Sequence, residues 1–286
     1  MYAITGITGQ VGSALASQLL TAGMPVRAVV RDAAKGEALA ARGCEIALAD
    51  INDAQALARA FTGAEAVFVL MPPGFDPTPG FPEAAATIGA LREALLAARP
   101  QRVVCLSTIG AQATQPNLLN QLGMMERELG TLPMPVAFLR AAWFMENSLW
   151  DIAAARDGHV PSYLQPLDKP VPMVACADIG AVAAEMLQSK WDGVRVVELE
   201  GPVRVSPRDI ADSFGRLLAR EVQTSAVARD QWQPLFVAQG MRNPEPRMQM
   251  LDGFNAGWIE FESGPSGSRK GTVTLDQALR ALLERA

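Results

Sequence analysis

A glycine turn sits at the start of the chain: Ile4-Thr5-Gly6-Ile7-Thr8-Gly9-Gln10-Val11-Gly12. It reads Gly-x-Thr-Gly-x-x-Gly, between a short apolar run (Tyr2 to Thr5) and an amphipathic run (Val11 to Leu20). Strand, tight turn, helix is the arrangement this spacing dictates. Such a turn gathers backbone N–H groups and a helix N-terminus at one point, where a pyrophosphate can sit. Gly6 permits the tight turn, Gly9 a close approach of backbone to phosphate, and Gly12 close packing of the helix.

Beyond the turn, the chain alternates between strand and helix. Val26 to Val30, Glu45 to Ala49, Ala66 to Leu70, Arg102 to Leu106 and Val136 to Leu139 read as strands. Between them, Ala34 to Arg42, Asp53 to Phe61, Phe81 to Ala98 and Leu118 to Leu129 read as helices. Ala66 to Leu70 is continuously apolar, as a strand covered on both faces requires. This repetition demands right-handed crossovers and a parallel sheet. The expected fold is α/β: a Rossmann, doubly wound parallel sheet with its ligand crevice at the carboxyl ends of the strands.

After Arg140 the pattern loosens. Met145 to Arg156 reads as helical, and prolines come at 161, 166, 170 and 172. Asp178 is expected to cap one helix, and Ser206 with Pro207 to open another. Val194 to Leu199 is a further strand. The expected division is a dinucleotide-binding domain over 1–150 and a smaller C-terminal α/β lobe over 151–286 that covers the crevice. Part of 171–200 is expected to rejoin the sheet.

Composition narrows the function. With 30 acidic and 25 basic residues the net charge is −5, which argues against direct contact with nucleic acid, where clustered Lys and Arg are needed. Cys44, Cys105 and Cys176 are scattered in apolar contexts and read as reduced, buried thiols. A single histidine, His159, speaks against a zinc site. No apolar run approaches membrane-spanning length, and the first strand begins at residue 2, so no membrane contact is expected and the location is expected to be cytoplasmic.

The residues after the second strand bear on which dinucleotide fits. An acid there binds the ribose hydroxyls of NAD, and an arginine the extra phosphate of NADP. The chain has Arg31 then Asp32. Arg31 comes first, and a guanidinium suits a phosphate, so the reading favours NADP(H). The alternative is a solvated Arg31 beside an Asp32 that caps a helix. Asp50 and Ile51, after the third strand, fall either beside the adenine or in a capped loop.

At these residues the chain resembles the NmrA-like, atypical short-chain dehydrogenase/reductase family, which includes NADPH-dependent quinone oxidoreductases and redox-sensing regulators. The resemblance rests on Gly6-x-Thr8-Gly9-x-x-Gly12, Arg31, Ala49-Asp50-Ile51 and Leu70-Met71-Pro72-Pro73. It continues through Leu106-Ser107-Thr108-Ile109-Gly110, Arg140 to Asn147, Asp178-Ile179-Gly180 and Glu200-Gly201-Pro202. It implies that Gly6, Thr8, Gly9, Gln10 and Val11 hold the pyrophosphate and Arg31 the ribose phosphate. Leu70, Met71, Pro72, Ser107 and Thr108 would flank the ribose and nicotinamide, and the Ala142 to Asn147 segment, with Phe144, would close over the nicotinamide end.

Ordinary short-chain dehydrogenases use a Tyr-x-x-x-Lys pair as proton donor. Here only Tyr2 and Tyr163 exist, and neither has lysine at that spacing. Family members often carry His or Lys four residues ahead of a glutamate. With Glu126 as that glutamate, the position holds Leu122. Quinone reduction demands less, because the acceptor is already electrophilic and water can supply protons. Met124, Trp143 and Met145 are candidates for an apolar pocket, with Asn120 or Asn147 orienting a carbonyl; core packing is the competing reading of the apolar three. Ser107 is the one candidate for a direct catalytic hydroxyl, against a role in the turn. Glu126 is expected to be a surface or capping acid. The leading expectation is an NADPH-dependent oxidoreductase acting on quinones or similar electron-poor conjugated acceptors. The alternative is a non-catalytic NADP(H) sensor that regulates a protein partner. The oligomeric state is not legible.

Overall fold

The computed structural model describes residues 1–286. In the first half, β1 (Tyr2–Ile4), α1 (Gln10–Thr21), β2 (Val26–Val30), α2 (Ala33–Ala40), β3 (Glu45–Leu48) and α3 (Ala54–Phe61) come in strict alternation. β4 (Ala66–Val69), α4 (Pro82–Ala98), β5 (Arg102–Thr108), α5 (Asn120–Leu129) and β6 (Val136–Ala141) continue it. β1, β4 and β6 are buried at every residue, because helices cover both faces of the sheet.

The second half is less regular. β7 (Trp143–Phe144) leads into a 3-10 helix over Met145–Asp151, then α6 (Ile152–Asp157) and β8 (His159–Ser162). Next come β9 (Met173–Val174), α7 (Cys176–Gln188), β10 (Val194–Glu200), α8 (Pro207–Leu218) and β11 (Gln223–Ala226). The chain ends with α9 (Arg229–Ala238), α10 (Glu245–Ala256), α11 (Gly264–Gly267), β12 (Arg269–Lys270) and α12 (Leu275–Leu283).

Eight strands form one sheet in the order β12-β10-β6-β5-β4-β1-β2-β3, and every pairing in it is parallel. This is the Rossmann-like α/β arrangement. The chain leaves β3, returns past β1 and continues at β4, so β1 and β4 are neighbours and their carboxyl ends open the crevice. β10 lies beside β6. Two small parallel pairs, β8 with β11 and β7 with β9, stand outside the main sheet.

On one face of the sheet α1 and α7 pack together, and Gly180 makes this possible: a Cβ there would lie 2.6 Å from the Cβ of Ala14. The apolar cluster on that face runs on into α8, α9, α10 and α12. Trp232, Phe214 and Phe236 anchor it, each with no exposed surface and each gaining roughly 1.5–3 kcal/mol from burial. A second cluster lies between the sheet and α3, α4 and α5. All three cysteines are free and buried, and burial pushes the Cys105 and Cys176 thiols up from their ordinary range. No helix is long and apolar enough to cross a membrane, and no cluster of His, Cys, Asp and Glu could hold a metal ion.

Three local expectations need correction. β5 runs to Thr108 and β6 to Ala141, two residues beyond the apolar runs, because Ser107 and Arg140 are register partners and both donate to Glu126 on α5. Asp178 does not cap its helix: α7 begins at Cys176 after Ala175. Asp178 instead sits buried in the first turn and accepts the N–H groups of Thr272 and Val273, tying the C-terminal segment to α7. The helical stretch after Phe144 divides into a 3-10 helix and α6.

Candidate active site

The crevice is walled by the segments that leave β1, β4, β5 and β6. Gly6 has φ +63°, and a Cβ there would be 3.0 Å from Leu70 Cδ2, so the turn after β1 lies directly against the end of β4. Thr5 locks the two together. Its N–H donates to Phe68 O at 3.0 Å, and its Oγ1 accepts from Leu70 N–H at 2.8 Å. Gly9 caps α1 without a side chain, and no acidic residue occupies the first turn. The N–H groups of that turn have no intrahelical acceptor, and Thr8, Gly9 and Gln10 are exposed.

The glycines show why the pattern is fixed. A Cβ at Gly12 would fall 2.3 Å from Gly6 O and 2.6 Å from Ile7 Cα, and one at Gly9 3.3 Å from Gly6 O. Gly12 therefore lets the helix fold back on the turn's own backbone. At Gly9 a side chain would stand over the exposed face of the turn. Val11 and Gly12 are buried, so only their backbone can face a ligand. This cradle fits a pyrophosphate: open N–H groups, a helix N-terminus, no competing carboxylate, and no Cβ in the way.

Arg31 stands exposed at the end of β2 and makes no ion pair or hydrogen bond. Asp32 is occupied as the cap of α2, accepting from Ala34 N–H at 2.9 Å. Asp50 closes its own loop by accepting from Asn52 N–H at 2.9 Å, and Ile51 is half-buried beside it. Of the acids near the strand ends, neither is free, while the guanidinium is.

Behind the crevice lies an ion cluster that apolar patterning does not reveal. Arg140 donates to Glu126 through Nε at 2.9 Å and through Nη2 at 2.7 Å. Its Nη1 reaches Glu262 at 2.8 Å and Glu198 at 3.4 Å. Ser107, buried at the end of β5, donates its hydroxyl proton to Glu126 Oε1 at 2.5 Å. Glu126 is thus neither a surface acid nor a cap. The signal available in sequence was Arg140 itself: a charge continuing an apolar strand must bring a buried partner.

The remaining candidates divide. Phe144 is half-buried in β7, and Asn147 is half-buried with a free amide. Leu70, Met71 and Thr108 are half-buried and Pro72 exposed at the crevice edge. Trp143 packs edge-on against Phe254 with centroids 5.2 Å apart. Met124 and Leu122 pack on the α3–α5 side of the sheet, across from Trp143 and Phe144. Met145 lies in the core, 1% exposed, and its Cε would meet a Cβ on Gly201 at 2.9 Å; it backs the wall and does not line it. Asn120 holds its own loop, with Oδ1 accepting from Asn117 N–H at 2.8 Å and Nδ2 donating to Ala113 O at 3.1 Å.

Glu146 was not among the expected site residues. Its Oε1 accepts from Cys176 N–H at 2.9 Å, which supplies α7 with the cap that Ala175 cannot. Its Oε2 is buried without a partner, and burial raises its pKa above the ordinary carboxylate range.

Comparison with known proteins gives a consistent picture. A family described as NAD(P)H-binding matches residues 6–190. An NAD(P)H azoreductase of Xenophilus azovorans is 28% identical over 243 residues, covering 84% of this chain and 82% of that protein. Quinone oxidoreductase 2 of Escherichia coli is 28% identical over 213 residues, covering 70% and 68% respectively. The solved structure of an NADPH-dependent quinone oxidoreductase from Escherichia coli in complex with NADPH shares the fold, with a TM-score of 0.80 at 24% identity over 99% of this chain and 100% of that one.

Proposed function

Because the chain belongs to the NAD(P)H-binding family, we propose that it is an NADPH-dependent oxidoreductase that transfers hydride to a quinone or a similar electron-poor conjugated acceptor. The observation that carries this reading is the state of Ser107. Its proton is committed to Glu126, the position of the family's usual basic residue is Leu122, and no Tyr-x-x-x-Lys pair exists. Reduction of a simple ketone needs a proton at the carbonyl oxygen as hydride arrives. A quinone stabilises the charge by conjugation and takes its protons from water afterwards.

The bound dinucleotide would supply the hydride. The chain's own residues would bind and orient. The open N–H groups at the start of α1, those of Gln10 and Val11, receive the pyrophosphate, while the Gly9 N–H closes the turn on Gly6 O at 3.0 Å. Arg31, with no partner of its own, receives the ribose phosphate, and this is the basis for NADPH over NADH. Leu70, Met71 and Pro72 on one side and Thr108 on the other bound the ribose, while Phe144 shields the nicotinamide end from water. Ser107 offers lone pairs, so it accepts a hydrogen bond in the crevice and does not donate one. Asn147 has a free amide to orient an acceptor's carbonyl. The names of the azoreductase and quinone oxidoreductase relatives support a small conjugated acceptor.

A dinucleotide sensor that acts through a protein partner shares the turn and Leu122, and is selected by cofactor binding without turnover. Steady-state NADPH oxidation with quinones set beside simple ketones tests the proposal. Quinones are expected to turn over and ketones not to; reduction of ketones at comparable rates would contradict it.

A further inference from the structure

The loop that leaves β4 and the 3-10 helix after β7 meet, although β4 and β6 are not neighbours in the sheet. β5 lies between β4 and β6 in the sheet. β4 and β6 are therefore two strand spacings apart, about 10 Å. Yet Phe75, in the loop after β4, touches Trp150, in the 3-10 helix beyond β6. Their rings meet edge to face, with centroids 6.3 Å apart and planes at 82°. Both segments leave the carboxyl ends of their strands, the same end of the sheet at which Ser107 and Thr108 finish β5.

Neither ring is packed into the protein: Phe75 is 47% exposed and Trp150 68%. Leu149, beside Trp150, is also exposed. Large apolar side chains left in water over a crevice are surface that a ligand can cover.

The loop is also held in place on both sides of Phe75. Gly74 O accepts from Gln121 Nε2 of α5 at 3.0 Å. A Cβ at Gly74 would be 2.9 Å from Gln121 Oε1, so the loop runs close against this side chain. Asp76 accepts from the N–H groups of Arg242 at 3.0 Å and Asn243 at 2.7 Å, and these bonds hold its carboxyl below the ordinary range. Phe75 thus sits between two anchors, one to α5 and one to the segment before α10. A ring fixed in this way loses little freedom on binding.

We propose that Phe75 and Trp150 form an aromatic subsite for the distal ring of a planar, multi-ring acceptor, so that the protein selects fused-ring over single-ring acceptors. The edge-to-face geometry leaves ring surface open for offset stacking, the mode such a ligand uses. The carboxylate nearest Phe75 in sequence, Asp76, is engaged by the backbone donors of Arg242 and Asn243. This rests on the reading of the crevice above β5 as the place of hydride transfer.

The test compares phenanthrenequinone with benzoquinone on the full chain, wild type and with Trp150→Ala or Phe75→Leu. Both positions are exposed, so the variants keep the core. Turnover gives the ratio of kcat/KM for the three-ring over the one-ring acceptor. Dissociation constants for both, on protein saturated with NADP+, give the same comparison without turnover. Each substitution is expected to lower both ratios about two- to tenfold, the range of one aromatic contact. Unchanged ratios in both variants would overturn the subsite while leaving the reductase reading intact. Absent turnover with the binding ratio still lowered by the substitutions would overturn the reductase reading and leave the subsite standing.

Discussion

Ser107 donates its hydroxyl proton to Glu126 at 2.5 Å. Glu126 is simultaneously gripped in bidentate fashion by Arg140, so its carboxylate has a fixed orientation. The serine near the end of β5 is therefore an acceptor, and the group that makes it one lies on a helix nineteen positions later. Chemistry that requires a donated proton is excluded from this serine by its partner.

Breaking the cluster should cost stability unequally. Arg140→Met leaves Glu126 and Glu198 without the cation they share, and the expected loss is about 3–5 kcal/mol. Glu126→Gln keeps Arg140 paired with Glu198 and Glu262, and the expected loss is about 1–3 kcal/mol. Urea unfolding measures both; equal costs would contradict the arrangement.

Arg31→Ala removes an unpaired guanidinium and nothing else in the fold. NADPH affinity should fall about ten- to a hundredfold, the range for a charged hydrogen bond of roughly 1.5–3 kcal/mol. NADH affinity should stay within about twofold, since Arg31 serves only the phosphate. Equal losses for both, measured by titration, would remove Arg31 from the phosphate site.

The glycines should separate folding from binding. Gly12→Ala places a Cβ 2.3 Å from a backbone oxygen, so overpacking should destabilise the fold by about 1–3 kcal/mol or more. Gly9→Val meets only a 3.3 Å contact at Cβ but stands in the cradle. It should abolish binding of both dinucleotides while the protein stays folded. Thermal unfolding and cofactor titration on the same samples distinguish the two. Retained binding in Gly9→Val would show that the cradle lies elsewhere.

Acid should weaken the sheet edge. Burial alone would raise Glu198 and Glu200. Hydrogen bonds outweigh it and hold both below the ordinary range, from Ser263, Glu262 N–H and Arg140 on Glu198, and from Lys270, Ser268 and Arg204 on Glu200. Such a group contributes stability that is full above its unfolded pKa, about 4.3 for glutamate, and is lost as pH falls through the folded value. The Tm should hold between neutral pH and about 5 and drop below that. Glu198→Gln should make the acid limb shallower; an unchanged limb would contradict this.

The sheet was legible because its strands are continuous apolar runs and its first turn has only one sensible geometry. Polar extensions were not. Periodicity ended β5 at Leu106 and β6 at Leu139, since Ser107 and Arg140 look like loop residues until their shared acceptor on α5 is seen. Asp178 resembled a cap because helix-capping rules are local, whereas α7 is capped by Glu146 from thirty residues away. Met145 and Asn120 carried the right chemistry for a pocket, but only packing decides whether such a side chain faces the crevice, the core or its own loop. The Phe75–Trp150 contact depends on two segments 75 positions apart and has no local signature.

The most direct test of the central reading is NADPH oxidation by the purified protein against a panel of quinones, with NADH run in parallel and cofactor binding checked in the same samples. Saturable turnover with NADPH strongly preferred over NADH is the predicted result. Tight NADPH binding with no turnover of any quinone would contradict it.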